Sequence, residues 1–125
     1  MKIPDWVHSV DPCEKDCPSR DVLNLIGDRW SLLVMLVIGQ GVHRNGAIIR
    51  RIEGISQKML TQTLRALVAN GLVDRRDFGT IPPHVEYTLT PLGASLENAL
   101  TPLFRWVDDN YQDIVKAREA SLTVA

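Results

Sequence analysis

One stretch of the sequence carries side chains suited to contacts with DNA bases and phosphates. It starts at Ser56, a residue type that caps helix N-termini, and it ends at Asn70-Gly71, a common helix stop. At about 100° per residue, one face of the predicted helix holds only polar or basic side chains. With the first turn, these are Gln57, Lys58, Thr61, Gln62 and Arg65. Arg and Lys suit guanine, Gln suits adenine, and Thr offers a hydroxyl or a methyl group. An ordinary solvated face is the alternative, and the helix alone would favour it. The absence of a carboxylate on this face and the strand-loop-strand that follows within a few residues favour a DNA contact surface.

A second candidate for chemistry is a pair of thiols near the N-terminus. Cys17 directly precedes Pro18 at a predicted helix start, where backbone donors and the nearby Lys15 and Arg20 favour the thiolate. Cys13, four residues earlier, is a candidate resolving partner. Such thiols react with oxidants or electrophiles, and the alternative is a packed thiol with no signalling role.

The remaining reactive side chains do not form a catalytic or metal-binding pattern. The three histidines, His8, His43 and His84, fall in different predicted loops or arms, and no nucleophile lies at a recognisable elbow. A metal site from His8, Cys13 and Cys17 would have three ligands on an N-terminal arm and no fourth. We therefore expect a protein that is not an enzyme and that holds no cofactor or metal.

The composition is that of one folded domain. The chain has 125 residues, of which 45% are hydrophobic and 23% charged, enough for a modest core but not for a separate catalytic domain. The longest apolar stretch, Leu32 to Ile38, is too short to cross a bilayer. Lys2 is not followed by the apolar segment of a signal peptide. The sequence thus predicts a cytoplasmic protein with no membrane partner, in which a structural disulfide is not expected.

Positive charge is concentrated in the middle of the chain, although the net charge is −1. Between His43 and Arg76 there are seven basic residues and two acidic ones, a net +5, so the rest of the chain carries −6. The basic residues are Arg44, Arg50, Arg51, Lys58, Arg65, Arg75 and Arg76. A basic segment between acidic flanks is typical of a confined phosphate-binding surface. A chance cluster on a solvated face is the alternative, and charge alone does not separate the two.

Local signals predict the elements that hold these residues in place. In chain order these are an arm, a helix from Pro18 broken at Gly27, a buried helix Trp30–Ile38, a short helix Ala47–Ile52, the helix that follows Ser56, a strand from Leu72, a loop Phe78–His84, a strand Val85–Leu89 and a helix from Pro91. The last helix keeps its apolar spacing past Pro102, so we expect one long helix kinked there, with two helices as the alternative. This order of elements predicts a winged helix-turn-helix.

The loop Phe78–His84 is the candidate wing, a hairpin loop that contacts DNA beside the helix. Arg75 and Arg76 at its base can reach phosphates, and His84 lies at its far side. Pro82-Pro83 stiffens the loop and reduces the entropy lost on docking. Seven residues are more than a hairpin connection needs, which favours a contact role over a plain turn.

The last helix carries more apolar surface than a single small domain readily covers. Its stripe is formed by Leu96, Leu100, Leu103, Trp106, Val107 and Tyr111. Pairing with a two-fold mate, helped by the N-terminal helix, would cover this stripe and set the spacing between two DNA half-sites. We therefore expect a homodimer.

Several strings, in this order and spacing, resemble the HxlR family of bacterial winged-helix regulators, relatives of the MarR group. They are Cys17–Pro18, Leu25–Trp30, Leu32–Leu33, Gly54–Arg65, Gly71–Val73, Ile81–Tyr87 and Leu89–Gly93. The resemblance covers Cys17 to about Trp106. It implies a dimer, joined through its N- and C-terminal helices, that binds a pseudo-palindromic operator. In the resemblance, Cys17 matches the cysteine with which several members sense electrophiles, quinones or oxidants.

The chain departs from the family pattern at two places. The segment Asn45-Gly46-Ala47-Ile48 replaces a common aromatic residue followed by Glu-Leu, so the supporting helix is expected to start later or to pack more loosely. His84 stands where the family often has Arg, which would make a charged wing contact weaker or pH-dependent.

These observations together predict a mainly α-helical winged helix-turn-helix with a small β-hairpin, dimeric through its N- and C-terminal helices. Residues 1–16 are assigned to an N-terminal arm, 17–113 to the winged domain with its dimerisation helix, and 114–125 to a helix end or tail. The expected function is sequence-specific transcription regulation, with Cys17 and Cys13 as candidate sensors. The expected DNA contacts are Arg44, Ser56, Gln57, Lys58, Thr61, Gln62, Arg65, Arg75, Arg76 and His84. The alternatives are a winged helix used for protein contacts and a regulator that responds to a non-covalent ligand.

Overall fold

The structure, a computed structural model, describes residues 13–124. Over these residues the chain forms five α-helices and one two-stranded antiparallel hairpin. Their bounds are α1 Pro18–Gly27, α2 Arg29–Gly39, α3 Asn45–Arg51, α4 Gln57–Ala69, β1 Val73–Asp77, β2 Val85–Leu89 and α5 Pro91–Val124. The predicted mainly α-helical fold with a small β-hairpin is confirmed, while the dimer through the N- and C-terminal helices stays a prediction. Most of the predicted arm, residues 1–16, lies outside the described residues.

Helix α2 lies at the centre of the fold. Its sequence is apolar on nearly all sides, as expected for a buried helix, and it contacts α1, α3, α4, α5 and β2. Val34, Met35 and Ile38 are at most 2% exposed, and burial of such side chains stabilises the fold by about 1.5–3 kcal/mol each. The Asp28 carboxylate accepts a hydrogen bond from the Ser31 N–H at 3.1 Å, which starts α2 directly after the predicted break.

Helix α3 begins at Asn45, two residues before the start predicted at Ala47. A later start or looser packing than in the family stays a prediction. The first N–H groups of a helix have no intrahelical partner, and residues of low helix propensity are therefore tolerated there. Ile48 is fully buried, and its N–H donates to the Arg44 carbonyl at 2.9 Å. These two contacts hold α3 on the core although its first turn contains Gly46.

Helix α4, the predicted DNA-contacting helix, has the expected ends. The Ser56 Oγ accepts a hydrogen bond from the Met59 N–H at 3.1 Å, which is an N-cap. At the other end Gly71 has a φ of +73°, and the Leu72 N–H donates to the Leu67 carbonyl at 3.0 Å. A positive φ strains any residue with a Cβ, so glycine allows the chain to turn directly from α4 into β1.

The hairpin is held at its loop end and along one edge. The loop Phe78–His84 has the predicted bounds, and the Phe78 N–H donates to the His84 carbonyl at 2.9 Å. On the outer edge of β2, the Tyr87 N–H donates to the His43 carbonyl at 2.8 Å, and the His43 Nδ1 lies 3.0 Å from the Tyr87 carbonyl oxygen. The segment before α3 therefore holds β2 in place, and the hairpin is fastened to the helices.

Helix α5 is one helix of 34 residues that includes Pro102 and continues past residue 113, so the single long helix is confirmed and the alternative of two helices is wrong. The kink at Pro102 stays a prediction. Its first turn is anchored beside β1. The Thr90 Oγ1 donates to the Gly71 carbonyl at 2.6 Å and accepts from the Gly93 N–H at 2.9 Å. Gly93 lies so close to the Leu72 carbonyl that a Cβ at this position would overlap with the carbonyl oxygen. The helix therefore starts in tight contact with the base of the hairpin.

Two absences hold for residues 13–124. No single helix there is long and apolar enough to span a membrane; only α1 and α2 taken as a pair, bent by 69° at their junction, reach that length and composition. Nor do three or more His, Cys, Asp or Glu side chains come together there as a metal site would require. The metal site considered from the sequence involved His8, which lies outside the described part of the chain.

Candidate nucleic-acid interface

Helix α4 separates an apolar face from a polar one, as the sequence predicts. The packed side consists of the buried Leu60, Thr63, Leu64 and Leu67, with the half-buried Val68 beside them. The other side carries Lys58, Gln62 and Arg65, all exposed, with Thr61 half-buried between them. Within the described residues, neither Lys58 nor Arg65 is paired with a carboxylate. Their charges therefore remain available to an external partner.

The first turn of α4 is ordered by its own side chains. The Gln57 Nε2 donates to the Thr61 Oγ1 at 3.0 Å, one turn further along the helix. The Ser56 Oγ is engaged as the N-cap acceptor. Gln57 keeps its amide oxygen for an external contact, and Lys58 keeps its ammonium group. In a helix-turn-helix the N-terminal residues of the second helix are the ones that contact base edges.

A groove of about 510 Å³ lies between α4 and the hairpin. Arg65 stands on its α4 wall and Arg75 on its β1 wall. The rest of the lining is Thr61, Leu64, Val68, Ala69 and Tyr87. Arg75 reaches this groove because it lies opposite Tyr87 in the strand register, and directly opposed residues share one face of a sheet. Arg65 and Arg75 therefore lie on opposite walls of one groove beside the polar face of α4, and two arginines at such a position could bind a phosphate backbone.

Arg76 points to the opposite face of the hairpin, because successive strand residues alternate. Its guanidinium carbon lies 4.4 Å from the centre of the Phe78 ring, and that ring contacts His84 with centroids 4.5 Å apart. The His84 Nε2 in turn lies 2.8 Å from the Glu86 Oε2. We call Arg76, Phe78, His84 and Glu86 the outer cluster. The sequence reasoning grouped Arg75 and Arg76 together and passed over Glu86, whose two-residue spacing from His84 was the available signal.

The tip of the wing is ordered by internal hydrogen bonds. The Gly79 N–H donates to the Asp77 Oδ1 at 2.9 Å, and the Thr80 Oγ1 donates to the Pro82 carbonyl at 2.9 Å. Ile81, at the end of the loop, is 99% exposed and is joined to Pro82 by a cis peptide bond. The tip therefore projects one large apolar side chain into solvent.

The other basic residues of the central segment flank α3. Arg44 is exposed and precedes the first residue of the helix, while Arg50 and Arg51 are exposed in its last turn. The Arg51 Nη2 lies 3.5 Å from the Gln40 Oε1, a weak contact on the surface. Of these three, only Arg44 was predicted to contact DNA.

Cys17 is the N-cap residue of α1, the place that the sequence predicts, and it is buried with 8% of its surface exposed. Its Sγ lies 3.0 Å from the Ser19 Oγ, a hydroxyl that can donate a hydrogen bond to a thiolate. The sequence reasoning did not single out Ser19. Cys13, Lys15 and Arg20 are exposed. Because Cys17 is buried, a reagent must displace neighbouring residues to reach the sulfur.

The predicted dimer stripe on α5 divides into two parts. Leu100 is buried in the protomer's own core and Leu96 packs against that core, so both stabilise the protomer itself. The exposed part, with exposures of 46–54%, consists of Leu103, Trp106, Val107 and Tyr111. On α1, Val22 and Leu23 are similarly exposed, and a shallow apolar groove of about 400 Å³ runs between α1 and the start of α5.

This combination of a core of short helices, a capped second helix with a polar outer face and a hairpin with a long loop beside it defines a winged helix-turn-helix DNA-binding protein. A family model described as HxlR-like helix-turn-helix matches residues 25–115. The chain belongs to this family, and it is a transcriptional regulator of the HxlR type.

Three relatives illustrate the match. The HTH-type transcriptional regulator YtfH of Escherichia coli (strain K12) is 38% identical over 105 residues, which cover 84% of this chain and 83% of the relative. The solved structure of the transcriptional regulator ytfH from Salmonella typhimurium is 36% identical, with a TM-score of 0.82 and coverage of 88% and 98%. The redox regulator HypR, solved in its reduced form, is 33% identical, with a TM-score of 0.72 and coverage of 80% and 98%.

Proposed function

We propose that this regulator binds a specific double-stranded DNA operator, with α4 in a major groove and the wing on the flanking backbone. The observation that carries the proposal is the carboxylate-free outer face of α4, beside a groove that presents Arg65 and Arg75. A helix of 13 residues is about 20 Å long, and a major groove about 12 Å wide admits it. Lys58 and Gln62 read base edges, and Arg44 joins the phosphate contacts. The protein acts where the DNA lies, in the cytoplasm of a bacterial cell.

The DNA-binding form is a homodimer on a pseudo-palindromic operator. One winged helix covers only one half-site, and two-fold symmetry places two recognition helices about 34–36 Å apart, one turn of DNA. The half-exposed side chains of Leu103, Trp106, Val107 and Tyr111 support pairing through α5, because a second copy would bury them. The exposed Val22 on α1 extends the same apolar surface.

The same regulator responds to electrophiles and oxidants through Cys17. Two features support this: the neighbouring Ser19 hydroxyl and the similarity to a protein described as a redox regulator. The Cys17 sulfur itself caps no backbone N–H of α1. After its proton is lost to water, the Cys17 sulfur bonds to a ring carbon of a quinone, while a ring electron pair moves to the quinone oxygen, which takes up a proton. Because Cys17 is buried, such an adduct displaces neighbouring residues. Displacement of α1 by the adduct alters helix pairing and half-site spacing without any contact with DNA.

Selection of bound duplexes from a random pool, with and without a quinone, tests the proposal. Enrichment of an inverted repeat with half-sites one turn apart is the expected result. An Arg65→Ala, Gln62→Ala double variant, carried through the same selection, should enrich nothing specific. Recovery of unrelated duplexes by the unaltered protein, with no dependence on salt, would contradict the proposal and favour a module for protein contacts.

A further inference from the structure

The tip of the wing has no charge with which to bind a phosphate. From Phe78 to Pro83 there is no acidic or basic side chain, and the two prolines lack an N–H. The Thr80 hydroxyl is already bonded to the Pro82 carbonyl. What the tip offers is the side chain of Ile81, the most exposed large apolar residue of the described chain at 99%.

This apolar tip is held on a firm support. The Phe78–His84 ring contact and the Phe78 N–H to His84 carbonyl bond close the base of the loop. The Gly79 N–H is fixed by Asp77, and the proline rings restrict the chain after Ile81. A loop ordered in this way loses little conformational entropy when it docks.

The charges around the tip indicate which surface it meets. Arg75 lies at the base of the same hairpin and faces the groove beside α4, where the phosphate backbone is proposed to pass. A minor groove adjoins each major groove across one phosphate backbone, so a hairpin that crosses the backbone beside α4 reaches a minor groove. The walls of a minor groove are sugar C–H groups, which an aliphatic side chain can contact, and its floor is smooth at A·T pairs. At G·C pairs the guanine N2 amino group projects into the groove and would be left without a partner under an isoleucine.

We propose that Ile81 enters the minor groove at the edge of each half-site and selects A·T pairs there by excluding the guanine N2 amino group. This inference rests on the proposed DNA-binding function and adds a point of sequence selection outside α4. It assigns no ionic role to the wing tip, so the contact adds affinity without adding salt dependence.

The experiment uses duplexes enriched by the unaltered protein from a random pool, because their existence tests the proposed function separately. The A·T pair that flanks each half-site is replaced with G·C or with inosine·C. Inosine presents the same major-groove edge as guanine but lacks the N2 amino group. We expect G·C to weaken binding about fivefold or more and inosine·C to restore it. Ile81→Ser should lose this discrimination and keep the same salt slope, and Ile81→Val should retain the discrimination.

Each other outcome overturns the inference in an identifiable way. If Ile81→Ser still discriminates between G·C and inosine·C, or if the unaltered protein never does, the minor-groove contact is wrong and the regulator assignment stands. If Ile81→Ser instead becomes monomeric in sedimentation and keeps its flank preference, the tip contacts a second copy and not DNA. If the unaltered protein enriches no duplex, the proposed function fails, and this contact fails with it.

Discussion

The guanidinium carbon of Arg76 lies 4.4 Å from the centre of the Phe78 ring, on the face of the hairpin away from α4. A guanidinium–ring contact at an exposed site contributes about 0.5–1 kcal/mol, enough to favour one side-chain position. Glu86, directly opposite Arg76 in the register, adds a negative charge on the same face. Its neighbour Arg75 faces the groove beside α4. Two adjacent arginines therefore have different access to a phosphate backbone.

This difference predicts unequal effects on the salt dependence of DNA binding. Arg75→Ala should weaken binding on all sequences and lower the slope of log K against log salt by about one. Arg76→Ala should change the slope by clearly less, because the side chain is stacked and lies across from a carboxylate. Fluorescence anisotropy over a range of salt concentrations, on operator and unrelated duplexes, measures both. Equal slopes for the two variants would remove the distinction.

The outer face of α4 predicts where sequence preference resides. Arg65→Ala and Gln62→Ala should each weaken binding to the operator by roughly 1–3 kcal/mol and relax the preference at one base pair. Binding to unrelated DNA should change much less for Gln62→Ala, which removes no charge. Lys116→Ala, on the distal part of α5, is the control for loss of a surface cation. Operator affinity unchanged in both α4 variants would show that the assigned DNA face is wrong.

The exposed apolar part of α5 predicts the assembly state. Val107→Glu should convert a dimer into a monomer at micromolar concentration, because pairing would bury an unpaired carboxylate. Gln112→Glu is the matched control, since it adds the same charge on the opposite side of the helix. Sedimentation velocity reports both. A monomeric unaltered protein, or a Val107→Glu variant that still dimerises, argues for another interface.

In the first turn of α5, we predict that Gly93 cannot be replaced by a residue with even one methyl group. Gly93→Ala should lower the free energy of unfolding by about 1–3 kcal/mol, because its Cβ would overlap with the Leu72 carbonyl oxygen. Gly27→Ala is the control: a Cβ there meets no atom within 4 Å, so its effect should be neutral or slightly stabilising. Urea unfolding followed by circular dichroism, at one protomer concentration, compares the two. A neutral Gly93→Ala would mean that α5 can shift away from the hairpin.

The position of Cys17 leads to a prediction about how DNA binding responds to electrophiles. A quinone should lower operator affinity of the unaltered protein, and Cys17→Ser should abolish the response while basal binding remains. Ser19→Ala should slow alkylation of Cys17, since it removes the hydroxyl 3.0 Å from the sulfur. Cys13→Ser should leave alkylation intact and affect only disulfide formation. A Cys17→Ser protein that still releases DNA would point to a non-covalent signal.

The features predicted correctly from the sequence are those set by neighbouring residues. The Ser56 cap, the break at Gly27 and the limits of the loop Phe78–His84 all follow from local backbone chemistry. The early start of α3 was missed because burial of Ile48 outweighs the weak helix propensity of the preceding residues. At α3, packing therefore decided the outcome against local propensity.

The missed features of the candidate site depend on contacts between distant residues. The pairing of His43 with Tyr87 joins positions 44 residues apart, and no periodicity predicts it. Arg75 and Arg76 lie on opposite faces of the hairpin, which follows from the strand register. The positions of basic residues in the sequence do not by themselves give that register. The apolar stripe of α5 likewise gave no sign that Leu100 is used by the protomer itself while Trp106 is left exposed.

The close contact of Gly93 with Leu72 fixes the point about which α5 can tilt relative to the root of the hairpin. From that contact to the end of the helix is about 46 Å, at 1.5 Å per residue. A tilt of α5 by about 5° about Gly93 therefore moves the far end of the helix by about 4 Å. Conversely, a displacement of the far end rotates the start of the helix against the hairpin by a small angle. Small angular changes at this one glycine are thus sufficient to alter the distance between the two recognition helices of a dimer built on α5.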